Sequence, residues 1–150
     1  MARNLMVVLV VGVLLSSIAM SHPALAQSSI LGNWQPPERD SIVEIYVCED
    51  KVCGRVVELD EPLDDDGNPK TDISNRDKAL RSRPILGMEL LAGFTMKEPG
   101  DYREGQIYNP RDGKLYKAVL TVRKDGTLKV RGYVGVPALG KTQIWVRSED

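Results

Sequence analysis

Histidine is nearly absent from this sequence: His22 is the single one among 150 residues. It lies in an N-terminal stretch with the layout of a secretory signal peptide. Arg3 gives the basic start, Leu5 to Ala19 form the apolar run, and Ala24-Leu25-Ala26 provide small residues for cleavage. We therefore expect residues 1–26 to be a signal peptide that is removed. A membrane anchor is the alternative, but the apolar run is short for a span.

The loss of His22 with the signal peptide excludes most familiar active sites. Enzymes that activate serine or cysteine rely on a histidine base, and zinc sites rely on histidine or free thiolates. We therefore predict no catalytic residue, no metal site and no cofactor, and expect the protein not to be an enzyme. Glu44 and Glu58 remain as a carboxylate pair of the kind that glycosidases use, but solvated acids on an outer face are the preferred interpretation.

Charge of either sign is not in excess. Lys and Arg number 20 against 21 Asp and Glu, and the formal net charge is −1. No basic stripe is available for a phosphate backbone, so nucleic acid is not an expected partner. The acidic run Asp64-Asp65-Asp66-Gly67-Asn68 invites a calcium interpretation, but Pro69 and Asn75 stand where the loop pattern requires glycine and glutamate. A solvated turn is therefore favoured.

Cysteine is also scarce, with two residues, Cys48 and Cys53. In an oxidising compartment a close pair usually becomes a disulfide, and these two end strand-like runs separated by a polar turn. We predict a bridge that clamps a hairpin. A redox-active pair is the alternative, although the catalytic spacing is C-x-x-C rather than C-x4-C.

Helical periodicity is scarce, and short runs rich in β-branched residues alternate with turn signals. This pattern predicts an all-β, antiparallel meander barrel of about eight strands in a single domain, residues 27–150. Within the strands, alternate residues share a face, so Tyr116, Ala118, Leu120 and Val122 should point the same way. The predicted strands are Leu31–Trp34, Ser41–Cys48, Cys53–Leu59, Leu86–Phe94, Gln106–Asn109, Lys114–Arg123, Thr127–Val134 and Lys141–Arg147.

One segment departs from the strand pattern. Ser74 has an acid three residues later and is followed by Lys78-Ala79-Leu80 before Pro84, which predicts one short helix near residues 74–81. The polar stretch before it, Glu58 to Thr71, is read as a long crossing loop.

The chain resembles, over nearly all of the predicted mature length, the bacterial exported family known as domain of unknown function 2147. The resemblance is carried by ordered matches, and it implies no particular chemistry because the family has none established. The matching stretches are Leu31-Gly-Asn-Trp34, Val43-Glu-Ile-Tyr-Val-Cys48, Cys53-Gly-Arg55, Ala79-Leu-Arg-Ser-Arg-Pro84, Ile107-Tyr-Asn-Pro-Arg-Asp-Gly-Lys-Leu-Tyr116, Leu128-Lys-Val-Arg-Gly-Tyr-Val-Gly135 and Gly140-Lys-Thr-Gln-Ile-Trp145.

A second resemblance is to calycins, the lipocalin-like barrels. In these a Gly-x-Trp on the first strand packs against a basic side chain from the last strand, and Gly32, Trp34 and Arg147 stand in the matching places. The long polar region Asp60–Pro84 departs from a simple up-and-down barrel and leaves its topology open.

A lipocalin-like site holds an apolar tail in the barrel and a polar head at the rim. Arg81 and Arg83, in a basic cluster, are candidates to bind an anionic head, and pairing with nearby aspartates is an equal alternative. Trp145 and three tyrosines, Tyr108, Tyr116 and Tyr133, are candidates to line the cavity, with core packing as the alternative for each.

The apolar connection Val134–Leu139 is a candidate for a lid over the barrel mouth or for contact with a membrane surface or a protein, with simple packing across the barrel end as the default interpretation. We therefore expect a monomeric periplasmic or secreted protein that binds a small amphipathic or anionic lipid-like ligand. The alternative is a filled barrel that serves as a structural or protein-interaction module, and a histidine-free enzyme comes third. The volume of the cavity distinguishes the first two.

Overall fold

The computed structural model describes residues 30–148, and the predicted signal peptide, residues 1–26, lies outside them. Eight antiparallel strands follow one another around a closed barrel in sequence order. The predicted all-β meander barrel is confirmed. The strands are β1 Gly32–Gln35, β2 Ser41–Cys48, β3 Lys51–Leu59, β4 Glu89–Glu98, β5 Asp101–Asn109, β6 Lys114–Val122, β7 Leu128–Tyr133 and β8 Lys141–Arg147.

The barrel closes where the short first strand meets the last. In β1, Trp34 lies opposite Arg147 and Gln35 opposite Val146. The other side of β1 pairs with β2, where Trp34 lies opposite Val43. Closure gives every strand two neighbours and leaves no exposed sheet edge in the described part of the chain.

Three predicted strands were wrong in extent by two residues or more at an end. β4 spans Glu89–Glu98 rather than Leu86–Phe94, and β5 begins at Asp101 rather than Gln106. The two strands form a long hairpin that turns at Gly100, where φ is 82°. Charged residues at the ends of both strands disguised the strand pattern in the sequence, because there they face solvent. β3 likewise begins at Lys51, two residues before the predicted start.

The short helix is a single 3-10 turn at Lys78–Leu80, and its cap differs from the prediction. The side chain of Asp77 accepts a hydrogen bond from the backbone N–H of Ala79 at 2.9 Å, so Asp77 rather than Ser74 caps the turn. A second 3-10 turn occupies Pro137–Leu139. Within residues 30–148 no helix is long and apolar enough to cross a membrane.

The long connection between β3 and β4, residues 60–88 and here called the crossing segment, adds no strand to the barrel. Two isolated bridges organise it, one between Leu63 and Pro69 and the other between Thr71 and Pro84. The topology is therefore a simple up-and-down barrel with one long excursion at one end.

The core fills the end of the barrel that carries the β2–β3, β4–β5 and β6–β7 hairpins. Leu120 and Leu128 are fully buried there, as the predicted two-residue period requires. Gly105 makes room for Phe94, because a Cβ at Gly105 would lie 2.4 Å from the Phe94 ring. The cluster comprises Ile30, Trp34, Val43, Ile45, Val52, Leu91, Phe94, Tyr102, Ala118, Leu120, Leu128, Val130 and Trp145.

Cys48 and Cys53 form a disulfide at this filled end. They flank the tight turn of the β2–β3 hairpin, where Glu49 adopts φ of 56°. The bridge therefore clamps the hairpin beside its turn.

Candidate functional site

The opposite end of the barrel is open and leads into a cavity of about 1120 Å³. Four connections surround its mouth: residues 36–40, the crossing segment, residues 110–113 and residues 134–140. A concave space of this size is typical of small-molecule sites. The cavity is the candidate functional site.

Apolar side chains from several strands form much of the cavity wall. Val56, Leu90, Ile107, Val130 and Trp145 line it. The indole of Trp145 is nearly fully buried, at 2 % exposure, so it separates the cavity from the packed core beneath. These walls can bury a hydrocarbon chain or ring and release the water that covers both surfaces.

A short polar chain runs from the Trp145 indole to the mouth. The Trp145 Nε1–H donates to Gln143 Oε1 at 2.9 Å, and the Gln143 amide donates to Glu38 Oε1 at 3.1 Å. Gln143 and Trp145 lie two residues apart in β8 and therefore share the inward face. This arrangement satisfies the indole N–H and leaves a carboxylate at the mouth.

A second polar group lies across the mouth, at the β5–β6 turn. The Tyr116 hydroxyl donates to Asp112 Oδ2 at 2.6 Å, and Arg111 pairs with Asp40 of the β1–β2 connection. The hydrogen bond to Asp112, burial and the Asp112 charge raise the pKa of Tyr116, while Arg76 acts in the opposite direction. Tyr116 is therefore a neutral hydroxyl at physiological pH.

The predicted aromatic residues all line the cavity. Trp145, Tyr116, Tyr133 and Tyr108 are each part of its surface. Tyr108 also has a second environment, because its hydroxyl donates to Asp72 Oδ1 at 2.7 Å and accepts a hydrogen bond from Asn75 at 3.0 Å.

The two predicted arginines do not line the cavity. Arg83 forms an ion pair with Asp72 at 2.9 Å, and its guanidinium lies 5.1 Å from the centre of the Tyr108 ring. Arg81 donates to the backbone carbonyl of Asn75 at 2.7 Å. Both side chains hold the crossing segment together.

Asp72 is the centre of that network and is fully buried. Burial alone would raise its pKa, but hydrogen bonds from Asn75, Tyr108 and Arg83 outweigh burial and hold the pKa of Asp72 below its ordinary value. The carboxylate is therefore charged and fixes the crossing segment against β5.

The apolar connection Val134–Leu139 lies at the mouth. Val134 and Leu139 line the cavity yet are 72 % and 80 % exposed. Arg131 fixes the connection from below, because its guanidinium donates to the Pro137 carbonyl at 2.7 Å and to the Ala138 carbonyl at 3.1 Å. An apolar lip therefore borders one side of the mouth.

The calycin-like residues lie near the filled end, away from the mouth. The Arg147 guanidinium is 4.1 Å from the centre of the Trp34 ring, and its Nη1 donates to the Leu31 carbonyl at 2.5 Å. A Cβ at Gly32 would lie 2.9 Å from that nitrogen, so glycine leaves room for the arginine. The Trp34 Nε1–H donates to the Ile30 carbonyl.

Across residues 30–148 no group of three or more histidine, cysteine or acidic side chains is placed to hold a metal ion. In the acidic run, Asp64 Oδ1 accepts backbone hydrogen bonds from Asp66 and Asn68 and closes a local turn. Glu44 forms an ion pair with Arg55 at 2.8 Å on the outer face of the barrel.

Several cavity residues were not predicted from the sequence. Gln143 could have been found from the two-residue period that relates it to Trp145. Val56 and Ile107 follow the same rule on their own strands. No sequence pattern marks Glu38 and Asp40 as cavity residues, because they lie in a loop that reaches the cavity mouth only when the barrel closes.

The barrel, its open cavity and the Gly32, Trp34 and Arg147 cluster define a lipocalin-like protein. A solved structure described as "Protein HP1028 from the human pathogen Helicobacter pylori belongs to the lipocalin family" is similar, with a TM-score of 0.68, 28 % identity, and coverage of 81 % of this chain and 84 % of that chain. The chain belongs to the family described as "Uncharacterized protein conserved in bacteria (DUF2147)", whose model matches residues 32–147. No curated protein matches the chain.

Proposed function

We propose that this protein is exported to the periplasm or beyond the cell and carries a small amphipathic molecule in its barrel, without catalysing a reaction. The observation that carries this proposal is the cavity of about 1120 Å³ with apolar walls and a polar mouth. The leader-like residues 1–26 and the Cys48–Cys53 disulfide support export.

The division of the wall matches an amphipathic ligand. Val56, Ile107 and Trp145 would cover an acyl chain or a ring system, while Tyr116 and Gln143 offer hydrogen-bonding groups nearer the mouth. The Val134–Leu139 lip would cover the part of the chain that leaves the barrel.

The alternative is a filled barrel that meets a protein partner through Val134–Leu139. The volume of the cavity favours the carrier, because small barrels packed solid by side chains leave no space of this size.

Native mass spectrometry of the protein purified from its own periplasm tests the proposal directly. We expect a chain that begins at Gln27 and carries a small molecule that is lost on denaturation. A chain that still begins at Met1 would overturn export, and a ligand-free protein that also binds no amphiphile in vitro would overturn the carrier.

A blocked cavity provides the matched test in vitro. Gly132 faces the interior, and a Cβ there meets Ile107 and Tyr116 at the ordinary contact distances of 3.4 and 3.7 Å, so the Gly132→Leu side chain starts without a clash and occupies cavity space beyond it. We expect it to weaken the binding of a fluorescent acyl probe about tenfold or more, because the side chain competes for the same volume. Thr121→Leu, which adds bulk to the outer face of β6, is the control.

A further inference from the structure

The charges at the mouth of the cavity indicate which polar head the ligand carries. Three cations line the cavity, Lys70, Arg111 and Lys141. Six carboxylates line it as well: Glu38, Asp40, Asp60, Glu61, Asp64 and Asp112. In a chain whose net charge is close to zero, the mouth is therefore a local concentration of negative charge.

When the groups that form ion pairs are set aside, the ratio of carboxylates to cations in the cavity lining increases. Arg111 is engaged by Asp40, and Lys70 is engaged by Glu61 at 3.1 Å. Lys141 is then the one lining cation, within the described residues, that none of the cavity carboxylates pairs with. Four of the lining carboxylates, Glu38, Asp60, Asp64 and Asp112, are not paired with a lining cation, and Arg76, which is close enough to act on Tyr116, does not line the cavity.

For an anionic head the cavity offers one cation that its carboxylates do not engage, Lys141, against the larger number of carboxylates. Arg81 and Arg83, the guanidinium groups that the sequence suggested for this purpose, lie outside the cavity and are engaged by Asn75 and Asp72. A cleft with low-dielectric walls concentrates the field of the charges that line it, so a net negative mouth attracts cations and repels anions.

We propose that the cavity selects an amphiphile with a positively charged head, such as an alkyl amine or a quaternary ammonium compound. The apolar chain lies against Val130 and Trp145, and the cationic head lies among Glu38, Asp60 and Asp112 at the mouth. This inference rests on the proposed carrier function, since the carboxylates set the preference of the cavity and do not form a site by themselves.

The experiment compares three probes that share one alkyl chain: dodecyltrimethylammonium, dodecanoate and dodecyl maltoside. Each is titrated below its micellar concentration by calorimetry, with tryptophan fluorescence as a second readout because Trp145 lines the cavity. We expect the cation to bind about tenfold more tightly than dodecanoate at low salt, and the ratio to shrink in about 0.5 M sodium chloride as the charges are screened.

Substitutions test whether the carboxylates at the cavity mouth cause the preference for a cationic head group. Glu38→Gln with Asp60→Asn should reduce the ratio about fivefold, whereas Asp50→Asn, an exposed carboxylate at the filled end, should leave it unchanged. Equal or tighter binding of dodecanoate would overturn the charge preference and leave the carrier standing. Failure of all three probes to bind would overturn both proposals.

Discussion

At the scale of single residues, Asp72 connects sequence, stability and site. Three side chains donate to its buried carboxylate, those of Asn75, Arg83 and Tyr108. Asp72→Asn keeps the shape but removes the charge, so the ion pair with Arg83 is lost. We expect a loss of about 2 kcal/mol in the free energy of unfolding, because a buried charged acceptor is replaced by a neutral one.

Urea denaturation measures this change, and Asp65→Asn, an exposed residue of the same crossing segment, serves as the control. A difference between the two variants within experimental error would contradict the role assigned to Asp72.

The lowered pKa of Asp72 also predicts how stability depends on pH. The folded protein binds a proton on Asp72 only below the ordinary value of 3.8, whereas the unfolded chain binds it near that value. The stabilising contribution is therefore complete above about pH 5 and is lost as the pH falls through the lowered pKa. We expect the stability difference between wild type and Asp72→Asn to shrink steadily from about pH 5 downwards.

Denaturation midpoints of both proteins at a series of pH values provide the measurement. A difference that stayed constant down to the acid transition would show that the carboxylate is not stabilised in the folded state.

Single residues differ in how far the sequence predicts their surroundings. Trp145 and Tyr116 were predicted as candidates to line a cavity because they are aromatic residues in the C-terminal strands, and both line it. Arg83 followed no such rule. Its partner Asp72 lies in the same irregular segment, and no periodicity in the sequence reports which of several nearby aspartates a flexible guanidinium will contact.

At the scale of elements, the crossing segment depends on its contact with the β5–β6 turn. Gly113 adopts φ of 65°, and a Cβ there would lie 1.9 Å from the Ser74 carbonyl oxygen. Gly126 in the β6–β7 turn adopts φ of 81° but has open space around it. We expect Gly126→Ala to cost about 1 kcal/mol, the backbone penalty alone.

Gly113→Ala should cost about twice as much or more, because it adds a clash with backbone to the same penalty. The free energies of unfolding of the two variants give the comparison. The rate of hydrogen exchange at the Asp72 and Asn75 amides should rise in Gly113→Ala and not in Gly126→Ala. Equal costs for the two substitutions would argue against a tight contact at Ser74.

The elements also show where strand prediction works. β6 buries Ala118 and Leu120 on one face, but its other face carries the apolar Leu115 and Val119 beside Lys117. β7 alternates cleanly from Leu128 to Arg131, because Leu128 and Val130 are in the core while Lys129 and Arg131 point outward. The first half of β5 does not, since Asp101, Arg103 and Glu104 engage in ion pairs at the surface. Such a stretch has the composition of a loop. It is a strand only because its backbone pairs with β4 on one side and β6 on the other.

At the scale of the whole molecule, the barrel is divided into a packed end and an open end. The packed end holds the largest buried side chains, Trp34, Tyr102 and Phe94, and provides most of the apolar burial that stabilises the fold. The open end buries less apolar surface, because its side chains enclose a cavity. Val130 and Trp145 belong to both the core and the cavity wall, whereas the residues at the mouth are not part of the core cluster, so variants at the mouth leave the packed end intact.

The division depends on closure of the ring, and the junction of β1 with β8 is its shortest pairing. The Arg147 side chain reinforces that junction by covering the Trp34 ring and bonding the Leu31 carbonyl. We expect Arg147→Ala to lower the free energy of unfolding by about 1–2 kcal/mol, the sum of one cation–π contact and one hydrogen bond. Because the remaining strands keep both neighbours, we expect the β1–β8 junction to open before the rest of the barrel unfolds.

Amide hydrogen exchange tests this: the β1 amides should exchange faster in Arg147→Ala while those of β6 and β7 change only with global stability. Arg123→Ala, an exposed arginine in the β6–β7 turn, should leave β1 unchanged. Uniform acceleration in every strand would mean that the barrel opens as one cooperative unit and that the β1–β8 junction has no separate weakness.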